Sequence, residues 1–375
     1  MRSRAQLDAW LAEHAATSPL NALSPGARER FLYSLRFHDQ GLGNADASDL
    51  ADELHDQQIH DVLSLFGPEV ARQVPASNRG EVQTLERNVR KRDAIGDLER
   101  QYIEYYKAIQ DIEEPDTEVR SRRKAEVFDV KLAAIYTART LARADDRDLR
   151  LLRRAVNDVA LATREPRHVD AFRALFAERE KRQLISTGDL ETLQSLFVSL
   201  RRTGDARRLR EQYPHSGLSP LPQFRDPLSK NSGQGALTAW RMDADGRRVT
   251  RESVPLDGTR LLVTASVDSS RDALRDISAD AQLSAVFARH AQWLSEAPGI
   301  APFDAVKEWN REFPQAPLLM IHDRAEWRVL PRWRAPEFYV IRDGVVVESL
   351  SGWEKGSAKS RDALWRMLER NGLLK

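Results

Sequence analysis

The sequence predicts a multidomain chain: an all-α helical array over residues 1–214, then an α/β domain over 236–375 that opens with an added N-terminal β-hairpin. Three observations predict it. Apolar residues recur at helical spacing from about Arg4 to Pro214. Residues 215–235 then hold Pro220, Pro222 and Pro227 with Ser229, Asn231, Ser232, Gly233, Gln234 and Gly235, the composition of a linker. Beyond them the apolar period changes from helical to alternating. A length of 375 residues also exceeds what one core usually serves, which favours two domains, or three if the helical part divides near 80–118.

In chain order, Ser24-Pro25-Gly26 starts a helix, because Ser24 can cap, Pro25 suits the first turn, and Phe31, Leu32 and Leu35 follow at helical spacing. Asp46 to Phe66 reads as one longer helix, with Leu50, Leu54, Ile59, Val62, Leu63 and Phe66 as its stripe and Gly67-Pro68 as its stop. Glu81 to Glu113 is charged, with few apolar residues before Tyr102, Ile103, Tyr105, Tyr106, Ile109 and Ile112, and its first half reads as solvent-exposed or a linker. Shorter helices follow in hairpins, one marked by Phe128, Leu132, Ile135 and Tyr136, the next by Leu149, Leu152, Val156, Val159 and Leu161. Thr187-Gly188-Asp189 and Thr203-Gly204-Asp205 repeat a turn in which Gly supplies the left-handed residue and Asp the cap, opening helices over Leu190–Arg202 and Ala206–Tyr213. Paired short helices of this kind resemble tetratricopeptide-like repeats, without a full repeat signature.

After the linker, Leu237–Met242 and Arg248–Val254 flank Asp243-Ala-Asp-Gly246 as a hairpin, and Leu261–Ala265 is an apolar, β-branched run suited to a buried strand. Ser269 to Ile277 and Asp304 to Phe313 read as helices, and Pro317 to Ile321, Glu337 to Ile341 and Val345 to Leu350 as strands. Arg342-Asp343-Gly344 turns the last two strands into a hairpin. A helix from Ser360 to Arg370 stops at Asn371-Gly372.

Composition narrows the chemistry. Lysine and arginine total 58 against 57 acidic residues, so a formal charge of +1 supplies no general attraction to nucleic acid or anionic lipid. No apolar run approaches the ~20 residues of a membrane-spanning helix. Cysteine is absent, which removes disulfides, thiolate nucleophiles and thiolate metal sites together. The N-terminus has Arg2 and Arg4 but no continuous apolar stretch, since Asp8, Glu13 and His14 interrupt it. Read as printed, the chain is expected in the cytoplasm; a leader removed ahead of Met1 would place it in the periplasm.

Leu261-Leu-Val-Thr-Ala-Ser266, Arg334-Ala-Pro-Glu-Phe-Tyr-Val-Ile341 and Asp343-Gly-Val-Val-Val-Glu-Ser-Leu-Ser-Gly352 supply a central strand, a proline-preceded strand, and a hairpin with its following glycine. In that order, from about Ala236 to Lys375, the segment resembles a thioredoxin-like fold of the TlpA-type and peroxiredoxin-related kind. The resemblance implies a reactive cysteine where the first strand runs into its helix, and this chain has Ser266-Val-Asp-Ser-Ser-Arg-Asp272 there. Ser269 and Ser270 either cap the helix or stand where a native cysteine has been exchanged. Redox turnover through thiols is excluded. The resemblance further implies that Pro336 is cis and that Ala335 offers its N–H and C=O to an extended peptide by strand addition. The alternative is a proline that merely begins an edge strand. Asp268, Ser269, Ser270, Ala335 and Pro336 are thus the expected groove.

Other features carry less. His55 and His60 lie five apart, off the four-residue spacing of a helical ligand pair, and Asp56 and Asp61 beside them do not make a metal motif, so no metal or cofactor is expected. Trp327, Trp333 and Trp353, with Arg334 and its neighbouring arginines interleaved, have the composition of an interface. Arg120-Ser-Arg-Arg-Lys124 reads as a solvated helix face, and neither a phosphate loop nor a nucleophile elbow is present. The expected function is a non-catalytic adaptor or chaperone-like module whose partners are proteins or extended peptides, with no nucleic acid and no membrane span. Two alternatives remain: an enzyme using Asp268, Arg271 or His290, or a scaffold whose domains mediate assembly, homo-oligomers included.

Overall fold

The computed structural model describes residues 1–39, 41–73, 93–228, 237–267, 269–296 and 303–374. The chain divides into two compact units, Met1–Leu196 and Phe197–Lys375. This division precedes the Pro-rich stretch, so the helix Thr203–Gln212 groups with the second unit.

The first unit is mostly helical. Among its described residues as far as Lys181, the α-helices are α1 (Arg4–Glu13), α2 (Pro25–Ser34), α3 (Ser48–Glu53), α4 (Asp56–Ser64), α5 (Pro68–Gln73), α6 (Asp97–Gln110), α7 (Thr117–Lys131), α8 (Ala138–Leu141), α9 (Asp146–Thr163) and α10 (Pro166–Lys181). The start at Ser24 holds: its hydroxyl accepts from Ala27 N–H at 3.4 Å, with Pro25 in the first turn. The single helix expected over Asp46–Phe66 is two, because His55 turns to an extended conformation and its N–H is taken by the Gln58 side chain at 3.0 Å. Helix is also interrupted by an antiparallel hairpin of β1 (Arg36–His38) and β2 (Gly41–Asn44), which helical spacing alone had missed. The charged stretch ahead of Asp93, including the first half of Glu81–Glu113, lies largely outside the described residues.

Charge is buried in this unit, in a paired form. Arg30 grips Asp49 through two hydrogen bonds, Nε to Oδ2 at 2.9 Å and Nη2 to Oδ1 at 2.8 Å, and reaches Glu99 at 2.9 Å. Arg154 also bonds Asp49 at 2.9 Å, and Arg147 reaches Glu99 at 3.4 Å. Burial pushes the Asp49 carboxyl up, but Arg154 and Arg30 outweigh it and hold the group below the usual carboxylate range. Gly26 belongs to this packing: a Cβ there would lie 2.1 Å from Glu99 Oε1. Removing one partner from such a network typically costs about 3–5 kcal/mol.

Helix α11 (Thr187–Ser199) and helix α12 (Thr203–Gln212) begin one turn earlier than expected, at the threonines themselves. Gly188 and Gly204 therefore sit inside helices, and the left-handed residues are Gln183 (φ 59°) and Arg201 (φ 63°). Ser186 and Asp189 cap α11 reciprocally: Asp189 N–H donates to Ser186 Oγ at 3.2 Å and Ser186 N–H to Asp189 Oδ2 at 2.9 Å. Leu161, assigned to an apolar stripe, is 36% exposed.

The second unit is built on a mixed eight-stranded sheet. Its strands are β3 (Gln223–Arg225), β4 (Thr238–Met242), β5 (Arg248–Ser253), β6 (Thr259–Thr264), β7 (Ala291–Ser295), β8 (Leu318–Ile321), β9 (Glu337–Arg342) and β10 (Val345–Ser351), in the order β10-β9-β6-β7-β8-β4-β5-β3. The central strand β6 runs parallel to β7 and antiparallel to β9, with Leu262 opposite Gln292 and Tyr339. The hairpin β4–β5 joins through β8. Part of the expected linker is itself structured, since β3 pairs parallel with β5.

Helices α13 (Arg271–Ala279), α14 (Ala281–His290), α15 (Phe303–Glu312) and α16 (Ala358–Arg370) complete the unit. Val263, Trp293 and Phe338 pack on one sheet face with Leu274, Phe287 and Leu368; Leu262, Leu294 and Tyr339 pack on the other with Trp327 and Leu330. Because both faces are covered, β6 is buried from Leu261 through Thr264, as its unbroken apolar run requires. Helix α14 and strand β7 were absent from the sequence reading.

Candidate functional site

Where β6 ends, the chain turns through Ser266–Ser270 into α13. Ser270 supplies the backbone carbonyl that starts this helix, accepting from Leu274 N–H at 3.1 Å, but its side chain caps nothing in the helix. Its hydroxyl, wholly buried, instead accepts from Ser266 N–H at 3.2 Å. Ser269 is no cap either. It is exposed, its N–H donates to Ser266 Oγ at 3.2 Å, and its hydroxyl donates to Ala335 O at 3.0 Å. Ser266 Oγ and Ser269 Oγ lie 2.6 Å apart. Asp268 falls outside the described residues.

The segment facing these serines leads into β9. The Ala335–Pro336 peptide bond is cis. Three successive carbonyls here are held by three different parts of the unit: Arg334 O by Thr264 Oγ1 at 2.5 Å, Ala335 O by Ser269 Oγ, and Pro336 O by Gly352 N–H at 2.9 Å. Gly352 reaches that position with φ 82°, a left-handed conformation that favours glycine. Among the described residues nothing accepts from the Ala335 N–H. Ser269 and Ala335, 66 residues apart in sequence, therefore form one site with an open donor and an occupied acceptor.

Just inside the proline lies Glu337, 0% exposed, whose two carboxyl oxygens form no hydrogen bond. Arg332 Nη2 approaches Oε1 at 3.3 Å. Tyr339 donates its hydroxyl to Arg332 O at 2.7 Å. Burial, reinforced by the Glu337 carboxyl, pushes that phenol up to about 12, so it stays a donor at neutral pH.

The aromatic residues expected at an interface are largely used inside the unit. Trp327 is fully buried and donates its indole N–H to Thr238 O at 3.1 Å, which takes it off any surface. Trp353 donates to Asp276 Oδ2 at 2.9 Å and packs on Phe338. Trp333 is half-buried against Trp327 and lies under the Arg324 guanidinium, an intramolecular cation–π pair; Arg334 is exposed.

His290 is not part of this site. It ends α14 beside Ala291, which pairs with Leu261, about 10 Å along β6 from Thr264 and the serines that follow. There it lines a cleft with Arg260, Arg289 and Gln292. His290 and the serine turn are thus set at different points along β6. Among the described residues no cluster of three or more His, Asp or Glu suits a metal ion, and no helix is long and apolar enough to cross a membrane.

Sequence reasoning missed Thr264 and Glu337 beside the proline, and placed Arg332 only among the arginines interleaved with Trp327, Trp333 and Trp353. Thr264 offered a signal as the one hydroxyl in an apolar run, and Glu337 as a carboxyl placed directly between Pro336 and Phe338-Tyr-Val-Ile341. Comparison with models of known protein families, with curated proteins and with solved structures returns no match.

Proposed function

We propose that the second unit is a thioredoxin-like module that binds extended segments of proteins or peptides without thiol chemistry. The observation that carries this reading is the Ser269 Oγ to Ala335 O hydrogen bond of 3.0 Å, which brings the strand-to-helix turn against the residue preceding a cis proline. That juxtaposition is what the resemblance implies of a redox site and its peptide-binding backbone, and the position of β9 beside the central strand supports it.

In this reading Ala335 acts through its main chain. Its N–H is a free donor, and a client strand supplies the carbonyl. The Ser269 hydroxyl holds the Ala335 acceptor until a client N–H replaces it, so the exchange trades one hydrogen bond for another and net affinity comes from the remaining contacts. With no cysteine in the chain, a bound segment can be held and released but not oxidised or reduced. The module is an adaptor or holding protein, and the helical unit supplies a further surface for assembly.

Capture of a randomised library of extended ten-residue peptides by the full-length protein tests this. Ser269→Trp, which fills the turn with an indole, is expected to reduce capture at least about tenfold, a loss of about 1.4 kcal/mol. Equal capture by the variant and the parent protein would overturn the reading.

A further inference from the structure

Glu337 stands out among the buried charged groups of the second unit. Its carboxyl is 0% exposed, and neither oxygen is hydrogen-bonded. A buried carboxyl in this condition forgoes interactions that such groups nearly always make. The Tyr339 hydroxyl also faces this carboxyl, but its single proton goes to Arg332 O, and Thr264 Oγ1 donates to Arg334 O and Glu337 O. The remaining neighbour is the Arg332 guanidinium, 3.3 Å from Oε1 but not aligned to donate.

Arg332 also marks a route. Its side chain is 51% exposed while its Nη2 lies 3.3 Å from a carboxyl that solvent does not reach, so the guanidinium bridges solvent and Glu337. If it swings outward, a path opens two residues from Ala335. A carboxyl paired with an aligned guanidinium makes two parallel, charge-assisted hydrogen bonds, the interaction that the present contact lacks.

We infer that Glu337 is the specificity residue of the peptide groove, receiving the guanidinium or ammonium of a basic client side chain, and that Arg332 fills this position in the free protein. The inference rests on the peptide-binding reading and names its substrate class: extended segments carrying arginine or lysine. A client side chain enters as Arg332 leaves, so one cation replaces another and the buried carboxyl is never left alone.

Two measurements test it. The first uses fluorescent ten-residue peptides, identical except for one central residue that is arginine or its neutral isostere citrulline. The parent protein is expected to bind the arginine peptide at least about tenfold more tightly. Glu337→Gln should bring the two affinities together without weakening citrulline binding, and Arg332→Ala should raise affinity for the arginine peptide. Equal affinities in the parent protein overturn the inference while leaving the groove intact; failure to bind either peptide counts against the groove itself. The second measurement needs no peptide. Methylguanidinium added to Arg332→Ala should raise its melting temperature and should not do so in the Arg332→Ala, Glu337→Gln double variant. An identical response from both proteins overturns the assignment of Glu337 as a cation acceptor.

Discussion

Ser269 and Ser270 are adjacent, carry the same hydroxyl and meet opposite environments: one is exposed and bonded to Ala335, the other wholly buried against Ser266. Residue type alone therefore gave the turn but not the division of labour within it. A comparable contrast governs His322, which follows β8. Its Nδ1 accepts from Trp240 Nε1 at 3.0 Å and from Arg201 Nε at 3.3 Å, which fixes the proton on Nε2. Burial, then Arg201 and Arg251, push the imidazole down to about 4. An NMR titration should find this histidine neutral through pH 5, with a midpoint well below the usual ~6.5; a midpoint at or above the usual value would contradict the contact geometry. Pro336 was legible from its place before an apolar strand. Glu337 was not, because a carboxyl next to a strand normally points to water, and only the packed structure shows that this one does not.

At the scale of elements, sequence legibility follows punctuation. The hairpin β4–β5, the turn at Asp343-Gly344 and the helix α16 are each bounded by residues with a distinct conformational preference, and each was found where expected. Strand β7 follows α14 with no glycine or proline between them, since His290 ends the helix and Ala291 begins the strand. Its five residues carry no alternating pattern, for Trp293, Leu294 and Ser295 are all buried. In the first unit, β1 and β2 were hidden by the helical period on either side. Caps can be tested directly. Ser357 accepts from Ser360 N–H at 3.4 Å to start α16, and Ser357→Ala should destabilise the protein by about 1 kcal/mol in denaturant unfolding. A change within ±0.2 kcal/mol would show that α16 is fixed by packing alone.

For the whole molecule, pH acts on the two units through different groups. In the second unit, His322 is neutral when folded and ordinary when unfolded, so its effect on stability is absent above the unfolded value of about 6.5. As pH falls from there toward 4 the unfolded chain binds the extra proton, and stability declines. In the first unit the depressed carboxyl of Asp49 works in a lower window: its contribution is present above about 4 and is lost as pH drops through its folded value. Asp189, pushed up by burial but held down more strongly by Arg153 and Arg179, acts in the same direction. Hydrogen exchange resolved by residue should therefore show protection falling between pH 6.5 and 5 in 197–375 while 1–196 holds, with the first unit following only below about pH 4. Parallel loss in both units over the same range would refute this.

Arg201 occupies a left-handed backbone position at φ 63°, where glycine would be at ease. Its guanidinium nevertheless clasps the carbonyls of Val198, Ser199 and Ile321 together with the His322 ring. A designer scanning for uncomfortable backbone angles would mark this arginine for replacement, and the substitution would relax one torsion while undoing a fourfold clamp. Rules of thumb for thermostabilising proteins would mislead at this joint.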